Sequence, residues 1–436
     1  MANLPSNHPE RYVLADEVHA RPPEPLVTPS RASYLALLVD PDERERERAH
    51  LARLCARWDV APPPAGLTQF SAQLGRIRLK WERHGEFSGY TLFANGAGER
   101  PFSEPVASLL PEGWLQGMSG QLVVAAHAHL MPADADGAPP DNDLLIECFE
   151  GNVPVGGEIG DAAGWAFTDF RIHDDGYSRL VLLDRQLTPR QAGRMLQRLF
   201  EIEAYRMLAL LALPIARRQM PRIGAIESSL AELTDGIARG GGGGDDEALL
   251  HELTRLAAEI ESGVSASQFR FGACRAYAEL VHTRIAELRE RGLPGTQTIE
   301  GFMARRFTPA VSTCATVSSR LLALSERIAQ ASALLSTRVD IVREKQNQAV
   351  LSSMDRRARL QLRLQQTVEG LSVAAIVYYV TGLIGYVSKG AKAAGLPLDP
   401  DLAVGLSVPV VAALAILALR RARRRLRQDE QRPTVF

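Results

Sequence analysis

Cysteine is scarce in this chain of 436 residues, which contains only Cys55, Cys148, Cys274 and Cys314. No two of these cysteines are close neighbours in the sequence, which excludes a CxxC zinc motif and a dense disulfide scaffold. Sparse, widely spaced cysteine is typical of proteins in a reducing compartment, so we expect the thiols to be free.

Several sequence motifs that are typical of nucleotide binding, zinc binding and hydrolase activity are absent. The chain has no GxxxxGK phosphate loop, no strand–GxGxxG–helix unit, no GxSxG elbow and no HExxH zinc motif. The five-glycine run at residues 240–244 is followed by acidic residues, which indicates a flexible break and not a phosphate cradle. These absences favour a non-enzymatic function, and no cofactor is predicted.

Charged residues are missing from two stretches near the carboxyl end, residues 371–388 and residues 402–419. As helices, 18 residues reach about 27 Å, roughly the thickness of the hydrocarbon core of a bilayer. A buried helix of a soluble protein is the alternative for either stretch alone. Two such stretches 13 residues apart favour a transmembrane hairpin.

Basic residues surround this hairpin although the whole chain has a net charge of −1. Residues 1–188 carry 27 acidic and 16 basic residues, whereas residues 298–436 carry 10 acidic and 20 basic residues. The arginines that flank the two stretches are Arg356, Arg357, Arg359, Arg363, Arg420, Arg421, Arg423, Arg424, Arg425 and Arg427. They could bind nucleic acid, but beside a membrane span they fit the positive-inside rule and contact with anionic lipid headgroups.

The same rule predicts the orientation of the chain. Both arginine-rich flanks belong in the cytoplasm and the short connecting loop outside. The first residues lack an apolar leader. We therefore expect a protein of the bacterial inner (cytoplasmic) membrane with both termini in the cytoplasm, in contact with lipids and not with nucleic acid.

Small residues lie within both predicted spans. They are Gly382 and Gly385 in the first span, and Gly405 and Ser407 in the second. Small side chains let transmembrane helices approach closely, so we expect these positions to pack the hairpin or to join copies of the chain in a homo-oligomer.

The amino-terminal part reads as an α+β domain. Residues 1–30 are rich in proline and predict an extended segment, and residues 42–58 predict a helix. Candidate strands cover residues 33–39, 71–81, 87–93, 121–131, 144–149, 153–159, 165–172 and 178–183. Short turns between neighbouring strands favour a mostly antiparallel sheet with helices beside it.

From Thr188 the pattern becomes helical. Thr188-Pro189-Arg190-Gln191 is a capping box that starts a helix, in which Pro214 predicts a kink. Further long helices are predicted at residues 245–291 and 298–367. Apolar residues at 321, 324, 328, 331 and 335 keep a spacing of three and four, which suits antiparallel helix or short coiled-coil packing. The last of these helices would lead into the first span as a stalk.

These patterns predict four parts. They are a cytoplasmic α/β domain at 1–188, a long-helix bundle and stalk at 189–367 with the glycine linker at 240–244, a transmembrane hairpin at 368–419, and a basic cytoplasmic tail at 420–436.

One pair of residues is a candidate metal site. His127 and His129 are two apart in a predicted strand, so both rings face the same side of the sheet. Together with Cys148 or Glu147 from a neighbouring segment they could hold zinc. The alternative is the polar face of a half-exposed strand, which the spacing favours because it fixes no third ligand.

Several sequence stretches resemble a bacterial family of uncharacterised membrane-anchored proteins, a domain of unknown function. The resemblance covers nearly the whole chain. The stretches are His8-Pro9, EVHARP at 17–22, LLSTRVD at 334–340, SMDRRA at 353–358 and LQLRLQQTVEGLS at 360–372, followed by Tyr378-Tyr379. The resemblance implies a membrane anchor and a bacterial inner-membrane location, but no activity, cofactor or catalytic residue.

The predicted architecture is also similar to that of the CorA-type magnesium transporters. That family has a Gly-Met-Asn signature at the end of its first span, where this chain has Gly382-Leu383-Ile384-Gly385-Tyr386. The departure places magnesium selectivity in doubt, and the similarity is one of architecture alone.

Three functions follow as hypotheses. The first is a membrane-anchored cytoplasmic module, a sensor, scaffold or regulator, that binds a protein or small-molecule partner. The second is an oligomeric cation channel or transporter of CorA-like architecture. The third is a metal enzyme that uses His127 and His129.

Overall fold

The computed structural model describes residues 5–19, 22–134, 138–239, 245–394 and 399–430. Contacts divide the chain into two compact units, Met1–Ala333 and Leu334–Phe436. The glycine run at 240–244 and the end of the basic tail at 431–436 lie outside the described residues.

A nine-stranded sheet forms the centre of the described part of the first unit. Its strands are β1 (Ser30–Leu38), β2 (Gln69–Leu74), β3 (Ile77–Arg83), β4 (Phe87–Asn95), β5 (Gln121–Pro132), β6 (Val155–Ile159), β7 (Gly164–Thr168), β8 (Ser178–Asp184) and β9 (Arg291–Gly292). Their order is β2-β3-β4-β1-β5-β8-β7-β6-β9. Neighbouring strands are antiparallel except β5 and β8, which confirms the predicted α+β class with a mostly antiparallel sheet.

The helices of the chain follow the predicted pattern of long segments. They are α1 (Arg11–His19), α2 (Arg44–Arg57), α3 (Asn142–Cys148), α4 (Pro189–Leu210), α5 (Leu213–Arg239), α6 (Asp245–Leu288), α7 (Ile299–Arg306), α8 (Thr308–Ala393) and α9 (Pro400–Glu430). The predicted capping box is present at the start of α4, where the Thr188 hydroxyl accepts from Gln191 N–H and the Gln191 side chain accepts from Thr188 N–H. The helix is interrupted at residues 211–212, between α4 and α5 and just before Pro214.

Two apolar clusters cover one face of the sheet. The larger includes Leu35, Leu37 and Trp81 and packs with α2, and the smaller includes Phe167 and Val181 and packs with α3. Side chains alternate along a strand, so the other face carries residues such as Tyr34, whose ring stacks on Phe200 of α4 at 4.9 Å. Helix α6 in turn packs on α4.

Three expectations for the amino-terminal part are corrected. Residues 144–149 are not a strand: residues 144–148 belong to α3 and Phe149 follows its end, because the Asp141 side chain caps a helix there by accepting from Asp143 N–H. Residues 71–81 form two strands, since the chain turns at Gly75, whose φ is +60°. The segment before residue 30 contains the helix α1 and is not wholly extended.

The second unit consists of the rest of α8 together with α9 in its described part. Here the two helices approach closely at one point, because a Cβ atom added to Gly385 would lie 3.0 Å from Val404 Cγ2. Few side chains are buried along these helices, and Thr381 and Ser388 are among them. Most of the apolar surface of this unit is therefore exposed in the isolated chain.

A tight contact between α4 and the segment before β1 gives a test of this fold. A Cβ atom at Gly193 would lie 1.8 Å from the Glu24 carbonyl oxygen, so Gly193→Ala forces backbone atoms apart. We expect this variant to lose about 2 kcal/mol or more of unfolding free energy, in the range of overpacked cores.

Gly224 in α5 is the matched control. No atom of the described residues lies within 4 Å of its Cβ position, so Gly224→Ala should be neutral or stabilising through helix propensity. Thermal unfolding of the purified protein compares the two variants. Equal melting temperatures for both would contradict the described packing of α4.

Candidate functional site

A strip of polar side chains crosses the otherwise apolar face of the sheet between the two clusters. It consists of Arg31 and Ser33 on β1, His127 and His129 on β5, and Arg179 on β8. The strand registers place them side by side, because Arg31 is opposite His129, Ser33 is opposite His127, and His127 is beside Arg179. We take this strip and the residues bonded to it as the candidate site, and call it the Arg179 network.

Arg179 is the best-connected member of the strip, although only 9% of the residue is exposed. Its guanidinium donates to the Cys148 carbonyl oxygen at 3.0 Å and to Glu150 Oε1 at 2.7 Å. The group also lies over the ring of Phe102, 5.1 Å from its centroid. A buried charge is tolerated only with such partners, so Arg179 ties β8 to the end of α3.

His173 extends this network through Glu150. The Nδ1 atom of its buried ring lies 3.1 Å from Glu150 Oε2, and the Nε2 atom lies 2.9 Å from Asp169 Oδ2. Each ring nitrogen of His173 thus faces a carboxylate oxygen of the network. Hydrogen bonds from His173 and Arg179 hold the pKa of Glu150 below its usual range.

His127 is enclosed by hydrogen bonding and stacking. Ser33 Oγ lies 2.9 Å from its Nδ1, within hydrogen-bond distance, and also accepts from Ala107 N–H at 3.1 Å. The ring stacks on Tyr177 with centroids 3.7 Å apart. Burial lowers the pKa of His127 to about 4, against the opposing charge of Asp175 and with support from His129 and Arg179.

His129 has a similar environment. Its Nε2 accepts from Phe102 N–H at 3.0 Å, and its ring packs on the Phe102 ring at 4.6 Å. Burial, together with the charges of Arg31 and Arg179, lowers the pKa of His129 to about 4. Both histidines are therefore neutral at physiological pH.

The predicted third metal ligand, Cys148, lies at the end of α3 and belongs to the smaller apolar cluster. Burial and the charge of Glu147 raise the pKa of its thiol to about 12, and the charge of Arg179 only partly opposes this. Cys148 is therefore a protonated thiol, a poor nucleophile and a poor metal ligand.

The structure thus places His127, His129 and Cys148 around Arg179. Within the described residues there is no group of three or more His, Cys, Asp or Glu side chains that could hold a metal ion. A positive guanidinium between these groups also opposes a second cation. The zinc site at His127, His129 and Cys148 stays a prediction.

Unusual backbone conformations occur around the Arg179 network. Phe102, Glu150 and Phe170 have φ angles of +63°, +53° and +55°, a region that non-glycine residues seldom adopt. Each such residue costs about 1–3 kcal/mol, which the surrounding contacts must offset. Strain of this kind is common at functional sites. Here the strained residues are Glu150, which pairs with Arg179, Phe102, whose ring lies under Arg179, and Phe170, whose ring stacks on Phe302.

Sequence reasoning missed Arg179, Glu150, His173 and Asp169. One signal was available, since Arg179 alternates with Val181 and Leu183 and so puts a charge on the buried face of a strand. The other three residues lie in turns, where carboxylates and histidines are ordinarily solvated.

The predicted membrane-contact arginines lie on α8 and α9. Arg356, Arg357, Arg359, Arg363, Arg420 and Arg421 are exposed, and the side chains of Arg423, Arg424, Arg425 and Arg427 are outside the described part of the chain. Among the predicted packing residues, Gly385 is at the close contact with Val404. In the part of the chain that the structure describes, Gly382 and Gly405 have no atom within 4 Å of their Cβ positions. The Ser407 hydroxyl donates to the Val404 carbonyl oxygen at 2.8 Å.

Comparison with known proteins identifies the family of this chain but no activity. A family model described as "Protein of unknown function (DUF3422)" matches residues 6–426. No curated protein matches this chain. A solved structure titled "structure of the full-length CmaX protein" is 14% identical and covers 69% of this chain and 89% of its own, but its TM-score is 0.19 and it carries no argument. None of these comparisons bears on the similarity to CorA-type transporters.

The two neutral histidines predict a dependence of stability on pH. In the folded chain their pKa values are about 4, against an ordinary value of 6.5. Between pH 6.5 and pH 4 the unfolded chain binds protons that the folded chain does not, so stability is lost as the pH falls through this window. The loss is at most about 3 kcal/mol for each histidine.

Paired variants measure this effect. His127→Asn and His129→Gln together keep a hydrogen-bond acceptor at each position but cannot take up a proton, so the melting temperature should fall less steeply between pH 7 and pH 4.5. His251→Gln, at an exposed histidine of α6, should keep the wild-type slope. If the double variant retains that slope as well, the two histidines are not neutral and buried as described.

Proposed function

Because the chain belongs to the DUF3422 family of proteins of unknown function, we propose its function from its own residues: it is a membrane-anchored module, with α8 and α9 as the anchor and the first unit as a cytoplasmic sensor or scaffold.

The observation that carries this proposal is the uncovered apolar surface of the second unit. The helix that ends at Ala393 and the helix that begins at Pro400 contain 18-residue windows of mean hydropathy 1.7 and 2.6. Only 11% and 0% of these windows are buried inside the structure, whereas the core helix of a soluble protein is mostly buried. Exposed apolar patches of this size need a cover, and a bilayer supplies one for both helices.

The polar groups within the two windows support the same proposal. The hydroxyls of Thr381, Ser388 and Ser407 donate to carbonyl oxygens of their own helices, at 2.6, 2.8 and 2.8 Å. Polar groups in hydrocarbon have no water to bond, so internal pairing is what a lipid environment requires. Gly385 adds the close helix approach that small residues allow in membranes.

The distribution of charge supports an orientation. Exposed arginines precede the first window and follow the second, whereas Lys389 and Lys392 in the connecting region are balanced by Asp399 and Asp401. The positive-inside rule then puts the first unit and the basic tail in the cytoplasm. In a bacterium this corresponds to the inner membrane.

The state of the Arg179 network supports binding over catalysis. General acid–base catalysis works best with a group whose pKa lies near the working pH, and nucleophilic cysteine needs a lowered pKa. Here His127, His129 and Cys148 are buried and have pKa values moved away from neutrality. Such groups fix the conformation of a binding domain, as a sensor or scaffold requires.

Charge substitutions in the windows test the anchor. In the double variant Leu383→Arg with Leu406→Arg, each guanidinium should oppose insertion, at a cost below the about 3 kcal/mol of the bilayer centre because both positions lie off the middle of their windows. We expect the variant protein to be extracted from membranes by alkaline washing or degraded, whereas the wild type stays in the pellet.

The control uses leucines of α8 outside the windows. Leu334 and Leu351 are 67% and 65% exposed, which matches the 68% and 69% of Leu383 and Leu406. Leu334→Arg with Leu351→Arg should therefore leave the protein in the membrane fraction. Identical fractionation of the two double variants would show that the windows do not lie in lipid.

A further inference from the structure

A cleft of about 350 Å3 opens in the first unit beside the turn that follows β7. Its lining includes Phe170 and Arg171 from that turn, Arg206 from α4, and Phe302 and Arg306 from α7. Small-molecule sites have volumes of about 300–1,000 Å3, so the cleft is the size of a ligand and too small for a macromolecule.

The turn is built by Asp169, whose carboxylate is fully buried. One oxygen accepts from Arg171 N–H at 3.1 Å, and the other accepts from the Asn152 side chain at 2.9 Å and faces His173. The Thr168 hydroxyl accepts from Phe170 N–H at 3.2 Å. These bonds hold Phe170 in its left-handed conformation and fix Arg171 beside it.

Phe170 forms one wall of the cleft with Phe302, since their rings stack at 4.8 Å and 20°. The Arg206 guanidinium lies 5.2 Å from the centroid of Phe170 and pairs with both oxygens of Glu203, at 2.7 and 3.2 Å. The charge of Arg206 is therefore neutralised, and its role is to support the aromatic wall.

The two remaining arginines differ from Arg206. Arg171 and Arg306 are exposed. Within the described part of the chain, neither of them has an ion-pair partner. The acidic residue in the lining is Asp169, whose oxygens are already occupied by its own turn, Asn152 and His173. The cleft thus offers two uncompensated guanidinium groups next to an apolar, aromatic wall.

We propose that this cleft binds a small phosphate ester, with the phosphate paired to Arg171 and Arg306 and the organic part packed on Phe302 and Met303. The planar guanidinium matches phosphate oxygens in bidentate hydrogen bonds, and it does so better than any other side chain. The aromatic and thioether groups of the wall suit a flat or apolar organic part. The role of this ester as the ligand of a sensor module rests on the proposed function. Its binding to the cleft can be measured whether or not the protein is anchored in a membrane.

A direct test measures binding of nucleotides to the full-length protein by calorimetry, in nanodiscs of neutral lipid. The probes are adenosine 5′-monophosphate, inorganic phosphate and adenosine. We expect the monophosphate to bind most tightly, because it alone uses both the guanidinium pair and the wall. Arg171→Gln with Arg306→Gln should weaken its binding at least about tenfold, since each lost charged hydrogen bond contributes strongly.

Arg305→Gln is the matched control. Arg305 is the neighbour of Arg306 in α7, is exposed, and is not part of the cleft lining. Its variant should bind the monophosphate as the wild type does. Phe302→Leu should reduce the preference for the monophosphate over inorganic phosphate while leaving phosphate binding unchanged. Melting temperatures of all variants identify any that fail to fold.

A second arm distinguishes a soluble ester from a lipid headgroup. The same proteins are added, in detergent, to vesicles containing phosphatidic acid or only neutral lipid. Binding to phosphatidic acid that is lost in the double variant and kept in Arg305→Gln supports the phosphate site with a lipid as its source. The proposal is overturned if no phosphate-bearing probe binds the wild type, or if the double variant and Arg305→Gln bind equally well.

Discussion

The constraint on which this account depends is that water solvates uncharged apolar surface poorly. Burial of such surface is worth roughly 25 cal/mol per Å2, and residues 371–388 and 402–419 leave most of theirs uncovered in the isolated chain. No fold of the second unit alone removes this cost, because two helices can hide only one side of each other. The close contact of Gly385 with Val404 shows that they do so over a narrow seam. Under the proposed function, lipid covers the remaining sides, and the arginines at both ends would set the orientation.

The first unit contains charged side chains that are buried within an apolar layer. Arg179 lies between two apolar clusters, and its partners are a carbonyl oxygen, a carboxylate and an aromatic face. Removal of one side chain from the network would leave its partners buried without hydrogen bonds. The network therefore fixes the relative positions of α3, β5 and β8. His173 and Asp169 carry the network to the turn at Phe170, where the cleft begins. The ordered core and the proposed binding surface are therefore physically continuous in this unit.

Local patterns predicted those parts of the fold that depend on local causes. Alternation gave most strands, the Thr188 capping box gave the start of α4, and Leu321, Leu324 and Ile328 are buried as their helical spacing indicates. The predicted strand at residues 144–149 was wrong because the apolar content of this segment outweighed the cap at Asp141, a short-range signal three residues before the apolar run. The candidate site was predictable only as a pair of histidines on one face. Arg179, Glu150 and the cleft arginines come together through strand order and turn geometry, which no spacing in the sequence encodes.

The central claim is that α8 and α9 cross a membrane with the first unit inside, and cysteine labelling in cells tests it most directly. The four native cysteines are buried, so single cysteines can be introduced at Lys392, between the windows, and at Ser353, before them. The account predicts that Lys392→Cys reacts with a membrane-impermeant maleimide in intact spheroplasts, and that Ser353→Cys reacts only after permeabilisation. Equal labelling of both cysteines in intact spheroplasts, or of neither before permeabilisation, would contradict it.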